Sequence, residues 1–408
     1  MKKVPKLRFK EFVDEWKEKK IENIVEVNPR TEELPDEFIY IDLESVENGV
    51  LKEKKIIQKE NAPSRAKRNV KLNDILYQTV RPYQQNNLFF NFDDEFEYIA
   101  STGYAQLRST ENNSKYIYHM LHTKKFLDKV LERCTGTSYP AINSNDLSEI
   151  NIFYSPFLEE QEKIADFLSS VDVKINLTEN KLELLKEYKK GIMQKIFNQE
   201  LRFKDSNGSD YPKWEEKKLG ELPIYVSDGN YGELYPKQEE LLEQGVPFIR
   251  VNNLKNSKIS FKEMKYISKE LHQILLSGHL IESDILVCTR GEIGIVAYVD
   301  YKFNGANINA QLCLLRIKDK NIIIPHFLLH SLNSYNIQKQ FKELQTGSAL
   351  KQLPKKNLSK LIFNIPCLEE QQKITDFLSS IDDKIEKLSS NLEELKEFKK
   401  GLLQQMFV

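Results

Sequence analysis

Apolar residues recur at helical spacing through two long stretches of the chain. In the first, Ile164, Phe167, Leu168, Val171 and Ile175 are followed by Leu182, Leu185, Tyr188, Ile192 and Ile196. In the second, Ile374, Phe377, Leu378, Ile381, Ile385 and Leu388 lead on to Leu392, Leu395, Phe398, Leu402 and Met406. Steps of three and four keep such positions on one face of an α-helix. No proline interrupts either stretch after Pro156 or Pro366, which sit where a helix start tolerates them. About forty residues at about 1.5 Å each predict two rods of roughly 60 Å. A rod with one apolar stripe cannot bury it alone, and the partner the sequence offers is the other rod, as an intramolecular coiled coil. The first helix must deliver the chain to a second globular part and the second must return it toward the first, so the pair is predicted to be antiparallel. That brings the segment from Lys6 to Trp16 close to Phe407, just as Leu201 to Trp214 comes directly after Phe197.

These two stretches are copies of each other. Pro156 to Phe197 reads PFLEEQEKIADFLSSVDVKINLTENKLELLKEYKKGIMQKIF, and Pro366 to Phe407 reads PCLEEQQKITDFLSSIDDKIEKLSSNLEELKEFKKGLLQQMF. Roughly three positions in five are identical without a gap, at an offset of about 210 residues, which marks an internal duplication. The duplication continues upstream more faintly. Phe38-Ile39-Tyr40-Ile41 answers Phe248-Ile249-Arg250-Val251, Asn73-Asp74-Ile75-Leu76 answers Ser283-Asp284-Ile285-Leu286, and Ala105-Gln106-Leu107 answers Ala310-Gln311-Leu312. Thr135-Gly136 answers Thr346-Gly347, and Leu7-Arg8-Phe9-Lys10 leading to Trp16 returns as Leu201-Arg202-Phe203-Lys204 leading to Trp214. The chain divides into a front part at 1–155, a long helix at 156–200, a second front part at 201–365 and a second long helix at 366–408. The helices are nearly unchanged between copies and the front parts have diverged, so the helices share a task and the front parts do not.

Each front part mixes short β-rich runs (Phe38 to Leu43 and Asp74 to Tyr77; Phe248 to Val251, Asp284 to Cys288 and Gly294 to Val299) with a helical stretch (Ser114 to Glu132; Pro325 to Glu343). The predicted class is α+β, two α/β domains of one plan separated and joined by the helices. Their loops are rich in side chains suited to nucleic acid: Arg81, Tyr83, Gln84, Gln85, Asn86 and Asn87 in the first, Arg250, Asn252, Asn253, Arg290, Asn307 and Asn309 in the second. The forked donors of Arg match guanine, and the amides of Asn and Gln match adenine. The Thr-Gly turns, with Thr137 and Ser138 in one and Ser348 in the other, would present backbone N–H groups to a phosphate, or are simply turns.

Charge modifies this picture only locally. The chain of 408 residues carries 60 Lys and Arg against 61 Asp and Glu, a net charge of −1, and phosphate neutralisation normally needs basic excess. That excess is concentrated: Arg65, Lys67, Arg68 and Lys71 form one acid-free run, and Lys351, Lys355, Lys356 and Lys360 form another, while Asp93, Asp94, Glu95 and Glu97 form an acidic counterpart. The basic runs suit phosphates better than bases. With 40% hydrophobic and 30% charged residues the composition is globular. No apolar run approaches the ~20 residues of a membrane span, and the N-terminal residues lack the apolar core of a secretory signal, so a cytoplasmic protein is expected. Cys134, Cys288, Cys313 and Cys367 form no CxxC pair and suggest neither metal site nor disulfide framework.

The LEEQxKIxDFLSS segments at Leu158 to Ser170 and Leu368 to Ser380, the closing KKG at Lys189 to Gly191 and Lys399 to Gly401, and the LRF-type restart before each front part resemble the specificity subunits of type I restriction-modification systems. The resemblance spans essentially the whole chain. It implies a non-catalytic, DNA-binding subunit of a phage-defence system whose front parts are target recognition domains, each reading one half of an asymmetric, interrupted site in double-stranded DNA. It also implies that the paired helices set the spacing and dock two methyltransferase subunits. Restriction subunits would join the same core. S-adenosylmethionine, ATP and Mg²⁺ would sit on those partners and no cofactor or metal on this chain.

Other readings are weaker. No GxxxxGK[ST], HExxH or GxSxG motif occurs. Pro35-Asp36 followed by Glu53-Lys54-Lys55 matches a degenerate metal-dependent nuclease pattern, but it has no counterpart in the second copy. A coiled-coil scaffold joining proteins would keep the helices and leave the divergence of the front parts unexplained.

Overall fold

The computed structural model describes residues 4–30, 33–347 and 351–408. Two helices dominate it, Leu158–Phe197 and Leu368–Met406, of 40 and 39 residues. The chain falls into two compact units: Met1–Lys181 with Leu388–Val408, and Leu182–Lys387. Each unit therefore combines one front part, the first half of the helix that comes after it, and the second half of the other copy's helix.

Within the first unit the two helical segments run antiparallel, since Asp172 meets Lys399 at 2.5 Å and, further along, Glu179 meets Lys396 at 2.7 Å. In the second unit Lys189 meets Asp382 at 2.5 Å, which is the same pair with the copies exchanged. Ile164, Leu168, Val171, Ile175, Leu182, Ile374, Leu378, Ile381 and Leu392 are buried, with Leu185, Ile385 and Leu395 partly so. Burying each such side chain contributes about 1.5–3 kcal/mol. Phe377 is partly buried against the same core cluster, and the rings of Phe167 and Phe377 also pack on Phe9 and Phe203 of the lead-in segments, with centroids 6.2 and 5.7 Å apart. Tyr188 and Phe398 lie exposed. Two successive steps of three residues from Leu182 or Leu392 turn a side chain roughly 120° away from the seam, which overrides the apolar pattern there.

Each front part carries, among the described residues, two sheets of three or four strands besides two-stranded pairs. In the first, Glu37–Ile41 and Tyr98–Ser101 pair in parallel, flanked by Lys55–Gln58 and Ala66–Asn69. Beside them stands an antiparallel sheet in the order Glu26–Val27, Tyr104–Arg108, Ile75–Gln78, Leu88–Phe89. The second front part repeats this with Lys265–Ile267, Val246–Ile249 and Asn307–Ile308, and then Ile224–Asp228, Leu312–Ile317, Ile285–Cys288 and Val296–Tyr298. Among the described residues its first sheet has no counterpart to Ala66–Asn69. The strand Lys17–Lys20 pairs with Asn151–Tyr154 just ahead of the first long helix, and Glu215–Lys218 pairs with Ile362–Ile365 ahead of the second. The predicted single helical stretches are each two helices, Ser114–Leu121 and Lys124–Leu131, and Pro325–Asn333 and Tyr335–Leu344. Thr123 and Ser334 break them, because each hydroxyl accepts the N–H of Phe126 or Ile337 and caps a new helix.

A buried acid seats each front part on its helix. Glu160, in the first turn of the first long helix, is wholly buried. It accepts both Arg8 Nε (2.6 Å) and Arg8 Nη2 (2.9 Å), the Trp16 indole N–H (3.2 Å) and the Ser155 hydroxyl (2.5 Å). Glu370 repeats the arrangement with Arg202 Nε (3.1 Å), Arg202 Nη2 (2.6 Å) and Trp214 (2.9 Å). The carboxylate beside each guanidinium raises the arginine pKa above its ordinary value. The neighbouring glutamines hold the next layer: Gln161 accepts the Asn113 N–H, and Gln371 accepts the Ile324 N–H, each at the start of a front-part helix. His119 and His330 are buried near Ser169 and Ser379, at 3.2 and 3.5 Å. Burial pushes His330 down to about 3 and His119 well below its ordinary value.

The lead-in segment lies where connectivity placed it. The Leu7 N–H donates to the Gln405 carbonyl (2.9 Å) and Trp16 packs edge-on against Phe407 (6.1 Å), while the Leu201 N–H donates to the Lys195 carbonyl (3.1 Å) and Trp214 packs on Phe197 (6.4 Å). Removing one partner of a buried ion pair costs about 3–5 kcal/mol, less where the other remains partly wetted. Urea unfolding of Glu370→Gln is expected to show a loss of about 2–4 kcal/mol, with Glu369→Gln, an exposed neighbour, near wild type. Equal stability of the two variants would contradict this role.

Candidate nucleic-acid interface

The predicted recognition residues gather around one feature in each unit, the chain segment that links the two sheets. In the first unit this is the turn between Tyr98–Ser101 and Tyr104–Arg108: the Thr102 N–H donates to the Arg65 carbonyl (2.9 Å), and the Thr79 N–H donates to the Gly103 carbonyl (3.0 Å). Arg65, Lys67 and Arg68 thereby flank it on one side. Arg65 and Lys67 are exposed; Arg68 is half-buried, with its Nε unpartnered among the described residues and burial lowering its pKa.

On the other side lies the loop after Ile75–Gln78. Gln78, buried, organises it by accepting the Asn86 N–H (2.9 Å) and donating to Gln84 Oε1 (2.8 Å), while its own N–H donates to Asn87 Oδ1 (2.8 Å). Arg81 and Gln85 both adopt left-handed backbone, at φ 53° and 52°. Tyr83 and Gln84 are exposed; Gln85 and Asn86 are intermediate. The Asn86 side chain accepts the Asn48 N–H (3.1 Å), and Asn87 is buried against His122. The Thr-Gly turn folds onto the same place, since Arg81 N–H donates to the Pro140 carbonyl (2.7 Å), leaving Thr137 and Ser138 exposed on the loop between Thr135 and Ala141.

In the second unit the corresponding segment runs from Asn309 to Leu312, which corrects the Ala-Gln-Leu match read from the sequence by three residues, since Leu314 faces Leu286 where Gln106 faces Leu76. The Thr289 N–H donates to the Gln311 carbonyl (2.9 Å), and the Asn309 N–H donates to the Ile249 carbonyl (2.9 Å), which brings Arg250 and Arg290 to the same turn. Arg290 is exposed, and with Asp228, Tyr231, Gln352 and Lys355 it lines a cleft of about 320 Å³. Lys351 is exposed; Lys355, also exposed, stands 3.7 Å from the Asp228 carboxylate. Ser348 lies outside the described residues.

Several amides turn inward. Asn253 is fully buried, accepting the Arg250 N–H and donating to the Lys262 carbonyl, and Asn309 is buried with its amide bonded to Gln311. Asn307 is buried too, donating weakly to the Ser277 carbonyl. These three hold loops instead of presenting edges to solvent, because an unpaired buried backbone group is costly and a local amide relieves it. Arg250 is half-buried and donates to the Glu263 carbonyl (2.8 Å), while Asn252 is exposed.

Residue type alone did not mark out Gln78, Tyr139, Tyr231 or Gln352. The Tyr231 loop depends on Gly229, where a Cβ would come 2.4 Å from the Asn309 carbonyl oxygen. Among the described residues no three His, Cys, Asp or Glu side chains are grouped to hold a metal ion, and no helix is long and apolar enough to cross a membrane.

Comparison with known proteins relates the chain to a family. The type I restriction modification DNA specificity domain matches twice, at residues 13–187 and 211–397. Over 300 residues the chain is 28% identical to the type I restriction enzyme MjaVIII specificity subunit of Methanocaldococcus jannaschii, covering 71% of this chain and 68% of that protein. The EcoBI specificity subunit of Escherichia coli is 24% identical over 306 residues, 70% of this chain and 63% of its own length. The crystal structure of a type I system S subunit from M. genitalium aligns over 99% of each chain with a TM-score of 0.62 at 17% identity, a likeness of fold.

On duplex DNA, Arg65→Gln and Lys351→Gln are each expected to weaken binding to all sequences alike and to lower the slope of log affinity against log salt by about 1. Titrations at several salt concentrations measure this, and an unchanged slope would remove these side chains from the phosphate path.

Proposed function

Because this chain belongs to the family of type I restriction-modification DNA specificity subunits, we propose that its two front parts each read one half of an asymmetric, interrupted sequence in double-stranded DNA on behalf of a partner methyltransferase. The family is one of recognition subunits, and chemistry is assigned to the partners. The observation that carries the reading is the unequal duplication: lead-in segments, buried acids and, apart from the strand Ala66–Asn69, the sheets recur among the described residues, while the loops around the linking turns differ in nearly every side chain. A shared frame with private loops is what two readers of different half-sites require.

The long helices set the separation of the halves, and their repeated outer surfaces offer one docking surface twice, suiting two copies of a modification subunit. S-adenosylmethionine is bound by those copies, and ATP and Mg²⁺ by the restriction subunits that join them. Co-expression with the cognate modification subunit, followed by sequencing of methylated genomic DNA, is expected to give a single two-part motif. A stable complex on DNA that leaves no motif would overturn the reading in favour of a binding protein with another output, and absence of both the complex and DNA binding would overturn it in favour of a protein scaffold.

A further inference from the structure

The two recognition loops share a device reached by different routes. Thr79 and Thr289 are equivalent in the duplication: each donates its N–H to the linking turn, and each offers its carbonyl to the strand returning from the Thr-Gly turn, to Ile142 N–H (3.0 Å) and Leu353 N–H (2.8 Å) respectively. Immediately beyond stands an arginine, Arg81 two residues on and Arg290 one residue on. The guanidinium carbon of Arg81 lies 4.2 Å from the ring centre of Tyr139, and that of Arg290 lies 4.7 Å from the ring centre of Tyr231. Tyr139 belongs to the Thr-Gly loop; Tyr231 belongs to the loop after Ile224–Asp228. Neither arginine offset nor tyrosine source is the same, yet both diverged front parts seat an arginine on a tyrosine at the end of the same strand.

The structural arginines of this fold behave differently. Arg8, Arg108, Arg202 and Arg316 each grip both oxygens of a buried carboxylate. Among the described residues Arg81 and Arg290 donate no side-chain hydrogen bond, and the tyrosines that carry them are exposed, at 64% and 41%. A ring beneath the guanidinium fixes the plane of the fork and restricts its rotamers while leaving the outer Nη donors for a ligand. A phosphate can be met by the fork from many directions about its oxygens, whereas the O6 and N7 acceptors of guanine in the major groove demand a pair of donors held in the plane of the base.

We propose that Arg81 and Arg290 each read a guanine, so that each half of the DNA site contains a G·C pair contacted in this way. The inference rests on the proposed function of the two front parts as half-site readers. The test is to determine the methylated motif of the complex formed with the cognate modification subunit, for the wild-type chain and for Arg290→Ala. The wild-type motif is expected to hold a G·C pair in each half. The variant is expected to lose preference at one G·C pair in one half, by about tenfold to a hundredfold, with every other position unchanged. Should Arg290→Ala fail to assemble, Arg290→Lys retains the cation over Tyr231 and must still relax that one position. A measurement on the wild-type complex needs no variant: replacing that guanine by 7-deazaguanine, which lacks the N7 acceptor, is expected to weaken binding by a similar factor. A half-site without G·C, uniformly lower methylation with the motif intact, or indifference to 7-deazaguanine would each overturn the proposal. Absence of any motif with the wild-type chain would instead overturn the functional reading and this inference with it.

Discussion

A carboxylate taken out of water at the start of each long helix is the constraint on which the rest of this structure depends. Glu160 and Glu370 are wholly buried and would be intolerable there without Arg8 with Trp16, and Arg202 with Trp214. A buried ion pair adds little net stability over an apolar replacement, because desolvation offsets the attraction. Its contribution is position. The placement of the lead-in segment that satisfies the acid also sets Trp16 against Phe407 and Trp214 against Phe197. Gln161 and Gln371, one residue further along, fix the adjoining front-part helices by the same logic.

With the front part bolted in this way, the loops around its linking turn are free to change. The core strands, the helix seam and the buried Arg108–Asp74 and Arg316–Asp284 pairs make contacts that recur in both units. In the first unit Gln78 knits the loop from below; in the second a cleft opens beside Arg290. Under the proposed function, divergence in such loops would alter what is read without disturbing where the reader stands.

The sequence made the helices legible because a stripe repeated twice, uninterrupted by proline, has few other solutions, and the duplication supplied its partner. It mispositioned Tyr188 and Phe398, whose spacing drifts off the seam, and it did not show that Phe167 and Phe377 meet the lead-in phenylalanines. The repeated Leu-Arg-Phe and Trp were visible as repeats, but their purpose was not, since Arg8 and Glu160 are 152 residues apart in the chain. In the candidate interface, residue type marked Arg81 and Arg290 but could not distinguish an amide facing solvent from one such as Asn253 or Asn309 that closes its own loop. Tyr139 and Tyr231 were invisible because an aromatic platform is defined by what lies over it.

The most direct test of a fixed frame with exchangeable readers is to replace residues 20–155 with the front part of another such subunit, leaving Arg8, Trp16 and both long helices intact. The chimera, paired with the same modification subunit, should assemble and methylate a motif in which one half is new while the other half and the spacing are unchanged. A motif altered in both halves or in its spacing would contradict the separation of frame from reader.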